Sequence, residues 1–185
     1  MKELSLNILD ITENSVKAGA SLTKITIDET SDDKLIITIN DNGCGMDAEM
    51  LKNVTDPFFT TRTTRNVGLG IPLIKLEAEQ TGGSFSITSR DVKNYPDLHG
   101  TELTATFYKN HIDFTPLGDI VATVTTLIQG HEDTDFEFLH KFPNGEVTLK
   151  TAELREQLGD IPLGTYEVIN WVGEYLKEQY TETMK

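Results

Sequence analysis

The stretch "DNGCGMDAEM" (residues 41–50) sets an aspartate, two glycines and the single cysteine of the chain between an apolar run and a segment that reads as a helix. The spacing Asp41-x-Gly43-x-Gly45 asks for a backbone that passes very close to something, with a carboxylate fixed beside it, because glycine permits both the close approach and a positive φ. Just upstream, "TKITIDE" and "DKLIITIND" alternate apolar and polar residues across "TSDD", which predicts a strand hairpin ending at Asp41. Just downstream, Asp47 is placed to cap a short helix.

Working outward, "SLNILDITENSVKAGA" carries Leu4, Ile8 and Ile11 at helical spacing and stops at Gly19. "TTRTTRNVGLG" is too long and uneven for a tight turn. "IPLIKLEAEQTGG" reads as a helix with Pro72 in its first turn and a glycine stop, and "SFSITS" and "TELTATFY" as two further strands. Near residue 109 the chain changes character. Residues 111–185 hold 14 acidic and 5 basic side chains. They predict a helix over 118–129, a hairpin "DFEFLHKFPNGEVTLK" turning at Asn144-Gly145, and helices over 151–158 and 165–180. Their apolar residues have two destinations open to them, a small core of their own or the first unit.

Composition excludes several classes. A chain of 185 residues with 37% hydrophobic residues buries a sizeable core. It contains no apolar run approaching the roughly 18 residues of a membrane span and opens on no signal segment, so a cytoplasmic protein is expected. One cysteine excludes an internal disulfide framework and a multi-cysteine metal site. The net charge of −14, from 16 basic and 30 acidic residues, opposes binding to nucleic acid or an anionic membrane, both of which need clustered Lys and Arg.

Four stretches carry the chemistry. In "LDITENSVKAGA", Asp10, Asn14 and Lys17 lie at i, i+4 and i+7, so one helix face presents a carboxylate, an amide and a cation. An amide oxygen completes a Mg²⁺ shell whose other ligands are phosphates and water, and a lysine one turn on faces phosphate charge. "VGLG" (residues 67–70) opens a helix, whose free N–H groups favour phosphate. Asp41 and its glycines would then shape the pocket for the other end of a nucleotide. Taken singly, "DNGCG" is more often a loop, Asn14 a surface amide, and Lys17, Arg62 and Arg65 solvated charges.

Taken together and in order, "TENSVKAGA", "DNGCGM", "DPFFTTR", "VGLGIPLIK" with "TGG", and "GTELTATF" resemble the ATP-binding domain shared by gyrase-type topoisomerases, the large heat-shock chaperones, sensor histidine kinases and MutL-type repair proteins. "DPFFTTR" is similar to the histidine kinase branch and "ENSVKAGA" to the MutL branch. The resemblance covers residues 1–108. It implies a two-layer α/β sandwich of the histidine kinase-like ATPase type for those residues, and the pattern of residues 109–185 reads as a small acidic α+β appendage.

The resemblance also implies roles. Asp41 would accept a hydrogen bond from the adenine amino group, Gly43 and Gly45 would line the adenine pocket, and Thr101 would support it through its hydroxyl and water. Asn14 would hold Mg²⁺. Phe58 and Phe59 would anchor a lid over residues 60–67 whose Arg62 and Arg65 reach the phosphates, with Lys17, Gly68, Leu69 and Gly70 against them. Where hydrolysing branches carry a glutamate general base, this chain has Asp10, one methylene shorter, with Glu13 beside the asparagine. Only a few residues precede the matching helix, which leaves no place for a dimerising phosphoacceptor helix, and none of His99, His111, His131 and His140 stands in one. The expectation is an ATP- and Mg²⁺-binding protein that acts as a kinase or nucleotide-gated regulator on a partner protein. The alternative is a non-catalytic assembly module holding ATP or ADP as a structural ligand. The tail stretch "GDIPLGTYEVINWVGEYLKEQ" is similar to that of stand-alone ATPase-like proteins found alongside iron-only hydrogenase subunits.

Overall fold

The computed structural model describes residues 3–56 and 69–185. Helix α1 (Leu4–Lys17) is followed by a hairpin of β1 (Leu22–Asp28) and β2 (Lys34–Asp41), then α2 (Ala48–Asn53) and α3 (Gly70–Gln80). Strands β3 (Ser84–Arg90) and β4 (Gly100–Tyr108) come next, and α4 (Ile120–Gly130) leads into β5 (Asp135–Phe142), β6 (Gly145–Lys150), α5 (Thr151–Leu158) and α6 (Tyr166–Thr183).

Local chemistry accounts for the elements. Leu4, Ile8 and Ile11 form a buried stripe along α1, and Lys17 lies in its last turn, where a cation meets the negative end of the helix dipole. Asp47 caps α2 by accepting from the Met50 N–H at 2.8 Å. Strands β1, β2, β4 and β5 alternate buried residues with more exposed ones, so the sheet has one covered face: Leu35, Ile37 and Ile39 of β2 and Leu103, Ala105 and Phe107 of β4 are all buried. The opposite face carries polar cross-strand pairs, Lys24 with Glu137 at 3.0 Å and Asn40 with Glu102 at 3.2 Å. One layer of helices on one sheet is the two-layer sandwich expected from the sequence.

Among the described residues the sheet has six strands, in the order β3-β4-β2-β1-β5-β6. Pairing is antiparallel except between β1 and β5, which run parallel, Leu22 opposite Asp135 and Asp28 opposite Lys141. A parallel neighbour requires a crossover, and α4 supplies it. The tail thus extends the sheet of the first unit. Its apolar residues join the first unit: Ile120, Val124, Leu127, Phe136, Phe138, Val172 and Leu176 belong to the same buried cluster as Leu4, Ile8 and Ile37. Helix α4 packs on α1, and α6 on α4 and β6. The free edge of β6 is blunted by one side chain, since Gln179 accepts from the Thr148 N–H and donates to its carbonyl, both at 3.0 Å.

Candidate functional site

Between α1, α2 and the ends of β2 and β4 lies a cavity of about 520 Å³. Ile11, Asn14 and Lys17 of α1, Asp41 of β2, Gly45, and Thr101 of β4 contribute to its walls, with Met50, Val54, Ile71 and Leu103 supplying apolar surface. This combination of an apolar chamber with a few convergent polar groups is what a small-molecule site requires.

Asp41 is the fixed point. Its Oδ1 accepts from the Gly43 N–H at 2.9 Å and its Oδ2 accepts from the Ser15 hydroxyl at 2.7 Å. The two bonds hold the carboxylate plane while leaving acceptor capacity on both oxygens, which together offer about four lone-pair sites. Strand register completes the wall. Thr101 stands directly opposite Asp41, and Ser89 opposite Thr101. The Ser89 hydroxyl lies 2.8 Å from that of Thr101, accepts from the Met46 N–H at 2.8 Å and reaches the Gly100 carbonyl at 3.0 Å. With the Ser89 proton on that carbonyl, Thr101 donates to Ser89 and keeps its own lone pairs free.

The glycines are there for space. A Cβ on Gly45, whose φ is +67°, would stand 1.9 Å from the Arg90 carbonyl oxygen, and one on Gly43 would stand 2.9 Å from the Ala18 Cβ. The loop between them is pinned at the backbone: Cys44 donates to the Ala18 carbonyl at 2.9 Å and accepts from the Val92 N–H at 2.9 Å. The Nδ1–H of His99 donates to the Gly43 carbonyl at 2.6 Å. Cys44 itself is exposed on the cavity wall.

The structure therefore brings together Asn14, Lys17, Asp41, Gly43, Gly45 and Thr101. Gly70 backs onto α1, where a Cβ would come 3.0 Å from that of Asp10, and Leu69 is half-exposed just before α3. Asp10 is exposed and is not among the wall residues. Phe58, Phe59, Arg62, Arg65 and Gly68 lie outside the described residues. Lys17 sits 3.8 Å from Glu13, whose other oxygen accepts from the His131 Nε2–H at 2.7 Å, so the loop after α4 touches the site helix. Among the described residues no group of three or more His, Cys, Asp or Glu is placed to hold a metal ion. No described helix is long and apolar enough to cross a membrane.

Sequence reasoning missed Ser15 and Ser89. Ser15 had a signal: it falls in phase with Ile8 and Ile11 on α1, a hydroxyl within the buried stripe. Ser89 had none, because its place depends on which strand lies beside β3.

Fold and cavity together define a two-layer α/β sandwich of the histidine kinase-like ATPase type. The chain belongs to the histidine kinase-, DNA gyrase B- and HSP90-like ATPase family, whose sequence profile matches residues 2–127. Among curated proteins it is similar to the signal transduction histidine-protein kinase AtoS of Escherichia coli, 43% identical over 91 residues, 48% of this chain and 14% of that protein. It is also similar to sporulation kinase D of Bacillus subtilis, 35% identical over 100 residues, 54% of this chain and 18% of that one. The chain thus matches less than a fifth of the length of either kinase. Among solved structures, the Aquifex aeolicus MutL ATPase domain complexed with ADP superimposes with a TM-score of 0.54 at 15% identity, over 85% of this chain and 68% of that one, a likeness of fold.

Proposed function

We propose that the cavity binds ATP with Mg²⁺ and that nucleotide occupancy lets the protein act on a partner protein, as a kinase or a nucleotide-gated regulator. The observation that carries this reading is Asp41, oriented by Ser15 and Gly43 on the wall of an apolar chamber, a geometry suited to the exocyclic amino group of adenine. Thr101 supplies a second acceptor beside it. Asn14 and Lys17, further along α1, form the end suited to phosphate, where Asn14 would give one oxygen to Mg²⁺ and phosphates and water the rest. Arg62, Arg65, Gly68, Leu69 and Gly70 belong to this reading as phosphate-side groups. Bound there, Mg²⁺ would neutralise phosphate charge.

Two observations bear on what happens after binding. Asp10 is exposed and off the cavity wall, which supports slow intrinsic hydrolysis. None of the four histidines lies within a helix: His99 and His111 are in loops, His131 follows α4, and His140 is buried in β5. That supports a phosphoacceptor outside residues 1–185, in the cytoplasm where ATP is held, and it equally fits the second reading, a module that retains ATP or ADP for assembly, including assembly with an iron-only hydrogenase system. Incubation with γ-labelled ATP and Mg²⁺ tests the proposal. Tight binding with neither self-labelling nor rapid release of phosphate is expected. Acid-labile label on His131 would instead mark a self-contained kinase, and rapid turnover abolished by Asp10→Asn would make Asp10 a competent base.

A further inference from the structure

We propose that the groove between α5 and α6 is a docking site for a cationic amphipathic segment of a partner protein. The groove measures about 650 Å³ and is walled by Leu154, Leu158, Ile161, Val168 and Trp171. Two of these large side chains stand open to water, Ile161 at 54% and Trp171 at 50% exposure. Single exposed apolar residues are ordinary on a protein surface, but contiguous ones around a concavity mark an interface. The apolar surface continues along α6, where the rings of Trp171 and Tyr175 stack with centroids 5.0 Å apart and planes 9° from parallel. Aromatic side chains so placed are the usual anchors of a protein interface.

The rim carries one sign of charge. Glu167 lines the groove, and Glu174 and Glu178 follow at i+7 and i+11 on the same face of α6, all three exposed. Glu174 pairs with Lys177 at 3.1 Å, whereas Glu167 and Glu178 form no ion pair among the described residues. An apolar floor beside a negative stripe matches a helix whose apolar face fills the groove while its lysines or arginines meet the glutamates. The same charges argue against other occupants. A second copy of the chain docking through the same face would bring two copies of this acidic stripe together, and an anionic bilayer would be repelled. The groove shares no wall residue with the nucleotide cavity, so this inference stands independently of the proposed function.

The chain has a single tryptophan, and it lies on the groove wall, so its emission reports occupancy directly. The probe is a short amphipathic leucine–lysine peptide, with a leucine–glutamate peptide of the same pattern as control. The leucine–lysine peptide is expected to bind one to one, to shift Trp171 emission to the blue, and to weaken as salt rises; the control should do none of these. Ile161→Ser and Glu167→Lys should each weaken binding about tenfold. Asp32→Lys, the same charge change in the β1–β2 turn, should leave affinity unaltered. The proposal is overturned if Asp32→Lys costs as much as Glu167→Lys, if both peptides bind equally, or if the emission does not move. It is equally overturned if anionic vesicles give the same shift, or if sedimentation shows self-association that Ile161→Ser abolishes.

Discussion

Asp41 joins two demands on one side chain. Ser15 and Gly43 consume part of its hydrogen-bonding capacity to fix its plane, and what remains faces the cavity. Asp41→Ala deletes the acceptor and also leaves Ser15 and the Gly43 N–H without their partner. An unmet hydrogen bond in a closed site costs about 1–3 kcal/mol, so ATP affinity should fall by roughly one to two orders of magnitude. Calorimetry that finds unchanged affinity would remove adenine from this end of the cavity. Asn14→Ala is the complementary experiment at the other end. It should weaken Mg²⁺-dependent ATP binding and leave adenosine binding nearly intact, because the amide acts through the metal and not the base. Equal losses for both ligands would contradict that assignment.

At the scale of an element, α2 is the least supported wall of the cavity among the described residues. It has six residues, none of them buried, and its N-terminus depends on the Asp47 cap. A helix this short is not stable by itself. Met50 and Val54 nevertheless lie on the cavity wall. Asp47→Ala should therefore cost about 0.5–2 kcal/mol of local stability and weaken nucleotide binding less than Asp41→Ala does. Hydrogen exchange read at residues 48–53 is the measurement. Faster exchange confined there, with the rest of the sheet unaltered, is the expected outcome, and no change would mean the cap is dispensable. The contrast with Asp41 is physical: the carboxylate is held by α1 and the sheet, whereas α2 rests on its own cap.

For the whole molecule, a polar cluster ties the tail to the first unit. Glu29, just after β1, accepts from the His140 Nε2–H of β5 at 3.0 Å and from Lys109, just after β4, at 3.2 Å. The Tyr180 hydroxyl of α6 pairs with the His140 Nδ1 at 2.8 Å. The His140 hydrogen bond, with help from Lys109, holds the Glu29 carboxyl below the ordinary range, while burial and then Glu29 raise the Tyr180 hydroxyl. A depressed carboxylate gives stability that is present above its unfolded pKa, about 4.3, and is lost as pH falls through the folded value. A raised tyrosine gives stability present below its unfolded pKa, about 10, and lost as pH rises beyond it. Denaturant midpoints should thus fall on both flanks, and Glu29→Gln should flatten the acid one. Followed by Trp171 emission and by far-ultraviolet circular dichroism, the transitions should coincide, since one core spans residues before and after 108. Separate midpoints would mean that residues 1–108 and 109–185 unfold as two units.

The sequence by itself determined what depends on near neighbours. The stripe of Leu4, Ile8 and Ile11 and the alternation in "DKLIITIND" are local patterns with periods of 3.6 and 2, the Asp47 cap is a local bond, and each appears in the fold, whereas the β5–β6 turn falls one residue earlier than expected, at Pro143-Asn144, because Gly145 pairs with Phe142. The ordered motifs were enough to point to the family. Tertiary structure decided which strands are neighbours. That choice placed Thr101 and Ser89 in line with Asp41, turned Ser15 and His99 onto the glycine loop, and set β5 parallel to β1 so that the tail completes the sheet. Strand order and register are settled by backbone hydrogen bonds between residues far apart in the chain. Those bonds are chemically the same whichever strands make them, so no single stretch announces its partner.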